Sequence, residues 1–154
     1  MKYFIQLIIL CLWIFISACS QEASLLESYF IVQESAESAF KREAPENLEN
    51  ILISWQHSAL LTEKESGTFD SSLDLWLIHM RLYALYKYKE HYYLAQKNLE
   101  LAQKEYLEYV PGVPPDRLAK KCLSDWIYYE KETGAPSWLN DTIIDLEKEF
   151  KNIE

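Results

Sequence analysis

Apolar residues recur at three- and four-residue steps along nearly the whole chain, interrupted only by four short clusters of glycine and proline. The glycines are Gly67, Gly112 and Gly134; the prolines are Pro45, Pro111, Pro114, Pro115 and Pro136. They place breaks near 45, 67, 111–115 and 134–136, with helical periodicity between them and no convincing period-two strand. The pattern predicts an all-α protein of about five helices arranged in helical hairpins. The first, from about 24 to 43, buries Leu25, Tyr29, Val32, Ala36 and Ala39 or Phe40. Pro45 ends it and can open the next, which buries Leu48, Ile51, Leu52, Trp55, Ala59 and Leu60 and stops at Gly67. Ser71-Ser72-Leu73-Asp74 reads as a helix start with a hydroxyl cap and an acid in the first turn. Leu118, Cys122, Trp126 and Tyr129 form the stripe of the fourth helix. Leu139, Ile143, Leu146, Phe150 and Ile153 form that of the fifth, which starts at Ser137.

The stretch from 71 to 109 holds no breaker, and Leu85, Tyr88, Tyr92, Ala95, Leu99, Ala102, Tyr106 and Tyr109 follow one another as a heptad seam. The simpler reading is one helix approaching about 60 Å at 1.5 Å per residue, in a plain bundle. If it bends near Lys87 to His91, three hairpins begin near 25, 72 and 116, a spacing of roughly 45 residues that suits a short α-solenoid. Leu82, Tyr86, Tyr92, Ala95, Leu99 and Ala102 then resemble a degenerate tetratricopeptide repeat over about 34 residues. Tyr83 stands where that family has a small residue, Glu90 where it has a glycine, and Pro111 comes late.

The first residues carry a different pattern. Lys2 precedes an apolar run from Tyr3 to Ile16, broken by Gln6 and closed by Ile16-Ser17-Ala18-Cys19. At about 15 residues the run is shorter than the roughly 20 that span a bilayer comfortably. The segment resembles the lipobox of bacterial lipoproteins over residues 1 to 20. That resemblance implies a cleaved signal peptide (1–18), acylation of Cys19, a tether over 19–24 and one helical domain over 25–154. Two or three acyl chains suffice for stable anchoring. An ordinary signal peptide or an uncleaved anchor is the alternative. Ser20 in place of aspartate resembles the outer-membrane default of such lipoproteins, facing the periplasm.

Composition narrows the remaining possibilities. With 49% hydrophobic residues, and aromatics making 14% of the whole chain, the chain is long and apolar enough for a packed core. Lys2 is the only charged residue before Cys19, so cleavage leaves the chain one unit more negative than its formal charge of −9. That argues against nucleic acid and against docking on anionic lipid. Cys11 leaves with the signal and Cys19 is the lipidation site. Cys122 therefore has no intramolecular disulfide partner.

Signatures of chemistry are sparse. The glycines all fall in turns, with no phosphate-cradling loop and no nucleophile elbow. His57, His79 and His91 do not have the spacing of a helical metal site. Cys122 lies on an apolar stripe, where burial makes a thiol inert. Asp141, Asp145 and Glu149 repeat every four residues along the last helix, opposite its apolar stripe, as a solvated face does. The sequence thus points to a non-enzymatic protein with no cofactor and no metal. Its unusual feature is tyrosine: seven between 83 and 109 point in too many directions for one buried stripe. Tyr88, Tyr92 and Tyr93, with Lys87 and Lys89, are the candidate partner-binding residues, because tyrosine offers a large contact area with a polar tip. The expectation is a lipid-anchored adaptor or scaffold for a protein partner in an envelope assembly or secretion system. An immunity protein against a periplasmic toxin is the alternative. Oligomeric state is left open.

Overall fold

A computed structural model describes the backbone from residue 2 to 151 and the side chains from 22 to 148. Six helices follow one another: α1 (Lys2–Arg42), α2 (Pro45–Ser66), α3 (Ser72–Tyr88), α4 (Tyr92–Tyr109), α5 (Pro115–Thr133) and α6 (Ser137–Lys151), with no strand among the described residues. The protein is all-α. Pro45 and Pro115 sit in the first turns of α2 and α5, where a missing N–H costs nothing. Gly67 takes a left-handed φ of 66° and returns its N–H to Glu63 O, closing α2. Segment 19–24 lies within α1, which runs through it without a break. The Cys19, Glu149, Phe150 and Ile153 side chains lie outside the described residues. Among the described residues no helix is long and apolar enough to cross a membrane.

Of the two readings open for 71–109, one long helix or a hairpin bent near Lys87 to His91, the structure takes the hairpin, so six elements stand where about five were expected. The break at 89–91 is a turn in which the His91 N–H donates to Tyr86 O (2.8 Å) and the Glu90 N–H to Lys87 O (3.1 Å). This pair of bonds requires a left-handed residue between the two helices, and Glu90 supplies it at φ 60°. A glycine there would have announced the turn; a glutamate hid it. The heptad seam accordingly survives only in α4, as Ala95, Leu99, Ala102 and Tyr106, while Tyr88 and Tyr92 are exposed. The predicted cap of α3 also differs. The Ser71 hydroxyl donates to Glu63 Oε2 (2.7 Å), and the Ser72 N–H is taken by Asp70 Oδ1 (2.9 Å).

Each helix from α1 to α5 packs on the next along the chain, and α6 returns onto α3. Helix α3 therefore has α2, α4, α5 and α6 around it, and every residue from Leu75 to Tyr86 is buried. Helices α5 and α6 lean on α3 more than on each other; at their surface Lys131 pairs with Glu147 at 2.6 Å. Leu139, Ile143 and Leu146 hold α6 down with almost no exposure. Full burial stabilises by about 1.5–3 kcal/mol for each such side chain, while a surface ion pair gives about 1 kcal/mol at most, so the docking of α6 is apolar in origin.

From Asp74 to Tyr86 α3 has no wet face, and the polar residues of that stretch are satisfied inside. The Arg81 guanidinium is completely buried. Its Nε donates to Glu130 Oε1 on α5 at 2.8 Å, and its two terminal nitrogens grip Glu37 on α1 at 2.9 and 3.0 Å. Phe40 lies 4.2 Å beneath it and Trp55 at 5.7 Å. Burial opposes the charge, but Glu130 and Glu37 more than offset it and hold the guanidinium above its ordinary value. Two helical turns away Asp74 accepts from Tyr29 Oη (2.6 Å) and Gln33 Nε2 (2.9 Å), and Tyr29 Oη accepts from Trp55 Nε1 (3.1 Å). Trp126 Nε1 completes the set on Glu130 (3.1 Å). Four helices, α1, α2, α3 and α5, are thus keyed to one another by polar geometry.

Two stability predictions follow from these contacts. Arg81→Ala strands two carboxylates, one of them on Glu130 with 1% exposure, and is expected to cost about 3–5 kcal/mol in urea unfolding. Lys131→Ala, at an exposed pair, is expected to cost less than about 1 kcal/mol; similar losses from the two would refute the central role of Arg81. Glu90→Gly is expected to raise stability by about 0.5–1 kcal/mol and Glu90→Val to lower it by about 1 kcal/mol, because only glycine enters the left-handed region freely. A destabilised Glu90→Gly variant would contradict strain at this turn.

Candidate interaction cleft

The α3–α4 turn sorts the tyrosines. Tyr83 and Tyr86 precede it and are buried, and Tyr106 is buried in the seam of α4. Tyr88, Tyr92 and Tyr93 flank the turn and are 48%, 64% and 80% exposed. An open cleft of ≈ 340 Å³ lies between this turn and α6. Lys87 and Tyr88 from the end of α3, Glu90 from the turn and Tyr92 from the start of α4 form one wall. Asp141, Thr142, Asp145 and Leu146 of α6 form the other.

The cleft is held from behind. Tyr88 meets the Trp138 ring edge-on at 5.5 Å, and Trp138 meets Phe40 edge-on at 5.8 Å, which links the wall to the core beside Arg81. Tyr86 donates to Glu49 Oε1 at 2.8 Å, and Lys89 pairs with Glu49 Oε2 at 3.2 Å. These two contacts, the Tyr86 hydrogen bond foremost, keep the Glu49 carboxyl below its usual range.

Of the five residues singled out from the sequence, Lys87, Tyr88 and Tyr92 thus line one cleft. Tyr93 is exposed on the next position of α4, outside the lining. Lys89 faces the other way and braces the turn against α2. Asp141 and Asp145 carry no site role in the sequence pattern, which places them on a solvated face. Both are exposed, as assigned, with Asp145 paired to Lys148 at 2.9 Å. Their position opposite the tyrosines arises only when α6 folds back on α3. The signal available in the sequence was their four-residue spacing.

Ionisable groups elsewhere are used internally. Burial pushes the Cys122 thiol up to about 12, and it accepts a hydrogen bond from Trp76 Nε1 at 3.3 Å. Such a thiol is protonated and a poor nucleophile at neutral pH. Among the described residues no group of three His, Cys, Asp or Glu is placed to hold a metal ion. His79 is buried between α2 and α4. With Asn98 Nδ2 donating to Leu94 O, Asn98 Oδ1 faces His79 Nδ1 at 3.1 Å, and Gln56 Nε2 donates to His79 Nε2 at 3.2 Å. The imidazole is therefore neutral, and burial holds it below its ordinary value against a weaker pull from Asn98.

The chain matches no family model, no curated protein and no solved structure.

The His79 environment predicts a pH dependence. Its folded value lies below the unfolded value of about 6.5. Its contribution is therefore complete above that pH and is lost progressively as pH falls toward the folded value, because only the unfolded chain takes up the proton. The urea midpoint is expected to drop between about pH 7.5 and pH 5.5, and to drop less in His79→Gln; equal drops would refute the assignment.

Proposed function

We propose that this chain is a lipid-anchored envelope protein that acts as a non-enzymatic adaptor, binding a protein partner through the tyrosine-flanked cleft between the α3–α4 turn and α6. The observation that carries this reading is the separation of the aromatic residues. Tyr88, Tyr92 and Tyr93 are exposed together around a braced turn, while the next tyrosine on each side in sequence, Tyr86 and Tyr106, is packed inside. Tyrosine contributes a large contact area once covered. A wall anchored through Trp138 to the core pays little ordering entropy on binding.

The anchoring half of the proposal rests on Ile16-Ser17-Ala18-Cys19 and its likeness to a lipobox. Acylation at Cys19 places the anchor at the start of the retained part of α1. The helical body then follows within a few residues and is held close to the membrane surface, facing the periplasm.

The test is affinity capture of the acylated protein from its native envelope. Wild type is expected to retain one protein in near-equal amount, and Tyr88→Ala/Tyr92→Ala/Tyr93→Ala to lose it by at least about tenfold. Tyr92→Ala and Tyr93→Ala are expected to stay within about 0.5 kcal/mol of wild type each, while Tyr88→Ala, which loses the Trp138 ring, is expected to cost about 1 kcal/mol and still leave the chain folded. Cys19→Ala is expected to release the protein from the membrane fraction. Capture of nothing by wild type would overturn the adaptor reading, and capture of a secreted toxin would replace it with immunity.

A further inference from the structure

We infer that the cleft between the α3–α4 turn and α6 takes a lysine- or arginine-bearing segment of the partner protein. This rests on the adaptor reading above and assigns the chemistry of what is bound. The lining carries three carboxylates, Glu90, Asp141 and Asp145, against one cation, Lys87. Asp141 has no salt-bridge partner among the described residues. Asp145 is held only by Lys148, a pair in which the two side chains are 71% and 66% exposed. Such a pair is weak enough for an incoming cation to displace.

The other half of the recognition is aromatic. Tyr88 and Tyr92, 48% and 64% exposed, lie beside these carboxylates. A cation seated there meets both a ring face and carboxylate oxygens, a combination that serves ammonium and guanidinium groups and repels anions. The volume of ≈ 340 Å³ sits at the low end of the roughly 300–1,000 Å³ that accommodates small ligands, which fits one or two side chains and not a folded element. Charge across the whole chain, −9, reinforces the choice at longer range. An anionic lipid headgroup meets repulsion at the same place.

The cleft is also pre-shaped. The His91 and Glu90 backbone N–H groups lock the turn, and Trp138 supports Tyr88 from beneath. Binding therefore orders few groups.

The experiment uses the full acylated chain in detergent, with fluorescein-labelled hexalysine as probe and hexaglutamate as control, read by fluorescence anisotropy at low salt. Hexalysine is expected to bind and hexaglutamate not to. Asp141→Asn/Asp145→Asn is expected to weaken hexalysine binding by about fivefold or more. Glu65→Gln/Asp116→Asn makes the same change in net charge at exposed positions outside the cleft, one in the last turn of α2 and one in the first turn of α5, and is expected to change binding by less than about twofold. Tyr92→Ala is expected to weaken binding while Tyr92→Phe retains it. Equal weakening by the two charge pairs would mean attraction to bulk charge and overturn the inference, as would no binding by wild type. If the partner captured from the envelope depends on Tyr88, Tyr92 and Tyr93 but is indifferent to Asp141→Asn/Asp145→Asn, the basic-segment inference fails while the adaptor reading stands.

Discussion

Arg81 sits where a helix with no solvent-facing side would ordinarily carry leucine. Its guanidinium has no access to water, so each of its donors has to find a carboxylate, and the two it finds come from helices at opposite ends of the chain order: Glu37 on α1 and Glu130 on α5. A buried charge of this kind is weak as a source of net stability and strong as a constraint, because removing any member leaves an uncompensated ion in a low-dielectric interior. The rotation of α1 and of α5 about α3 is set by this geometry to within the tolerance of a hydrogen bond. The Tyr29–Asp74–Gln33 cluster sets the same rotation of α1 a second time, two turns away.

The candidate cleft inherits its shape from that constraint. Phe40 packs under the Arg81 guanidinium, Trp138 packs on Phe40, and Tyr88 packs on Trp138. The placement of α6, and with it of Asp141 and Asp145, is thereby tied to the same interior that positions α1. The left-handed Glu90 supplies the other wall by turning α4 back along α3. A surface built this way is rigid at its base and polar at its rim. The titratable groups of the interior, Arg81, Asp74, His79 and Cys122, are occupied with one another and with neighbouring amides and hydroxyls.

Much of this architecture was legible in the residues. The helix class, the ends at Pro45, Gly67, Pro115 and Gly134, and the buried stripe of each short helix follow from periodicity and from backbone chemistry that only proline and glycine possess. Ala36, Leu48, Leu52, Trp55, Cys122, Trp126, Leu139, Ile143 and Leu146 were all readable as core, and all are buried. Leu60 was not: it is 45% exposed, one position past the buried Ala59. Helical phase locates a stripe, and its edge depends on where the neighbouring helix ends.

What the sequence by itself determined is therefore everything that local energetics decide: that the chain is helical, where most helices start and stop, and which faces seek burial. The tertiary structure alone decided between one long helix and a bend at Glu90, and it alone decided the burial of Arg81 and the meeting of α6 with the tyrosine-rich end of α3. The physical reason is common to the three. A glutamate in the left-handed region, an arginine without water and two aspartates facing tyrosines are each unfavourable or neutral in isolation. They are selected only by partners forty or more residues away, or by the packing gain of folding α4 and α6 onto α3, and no local pattern records such a partner.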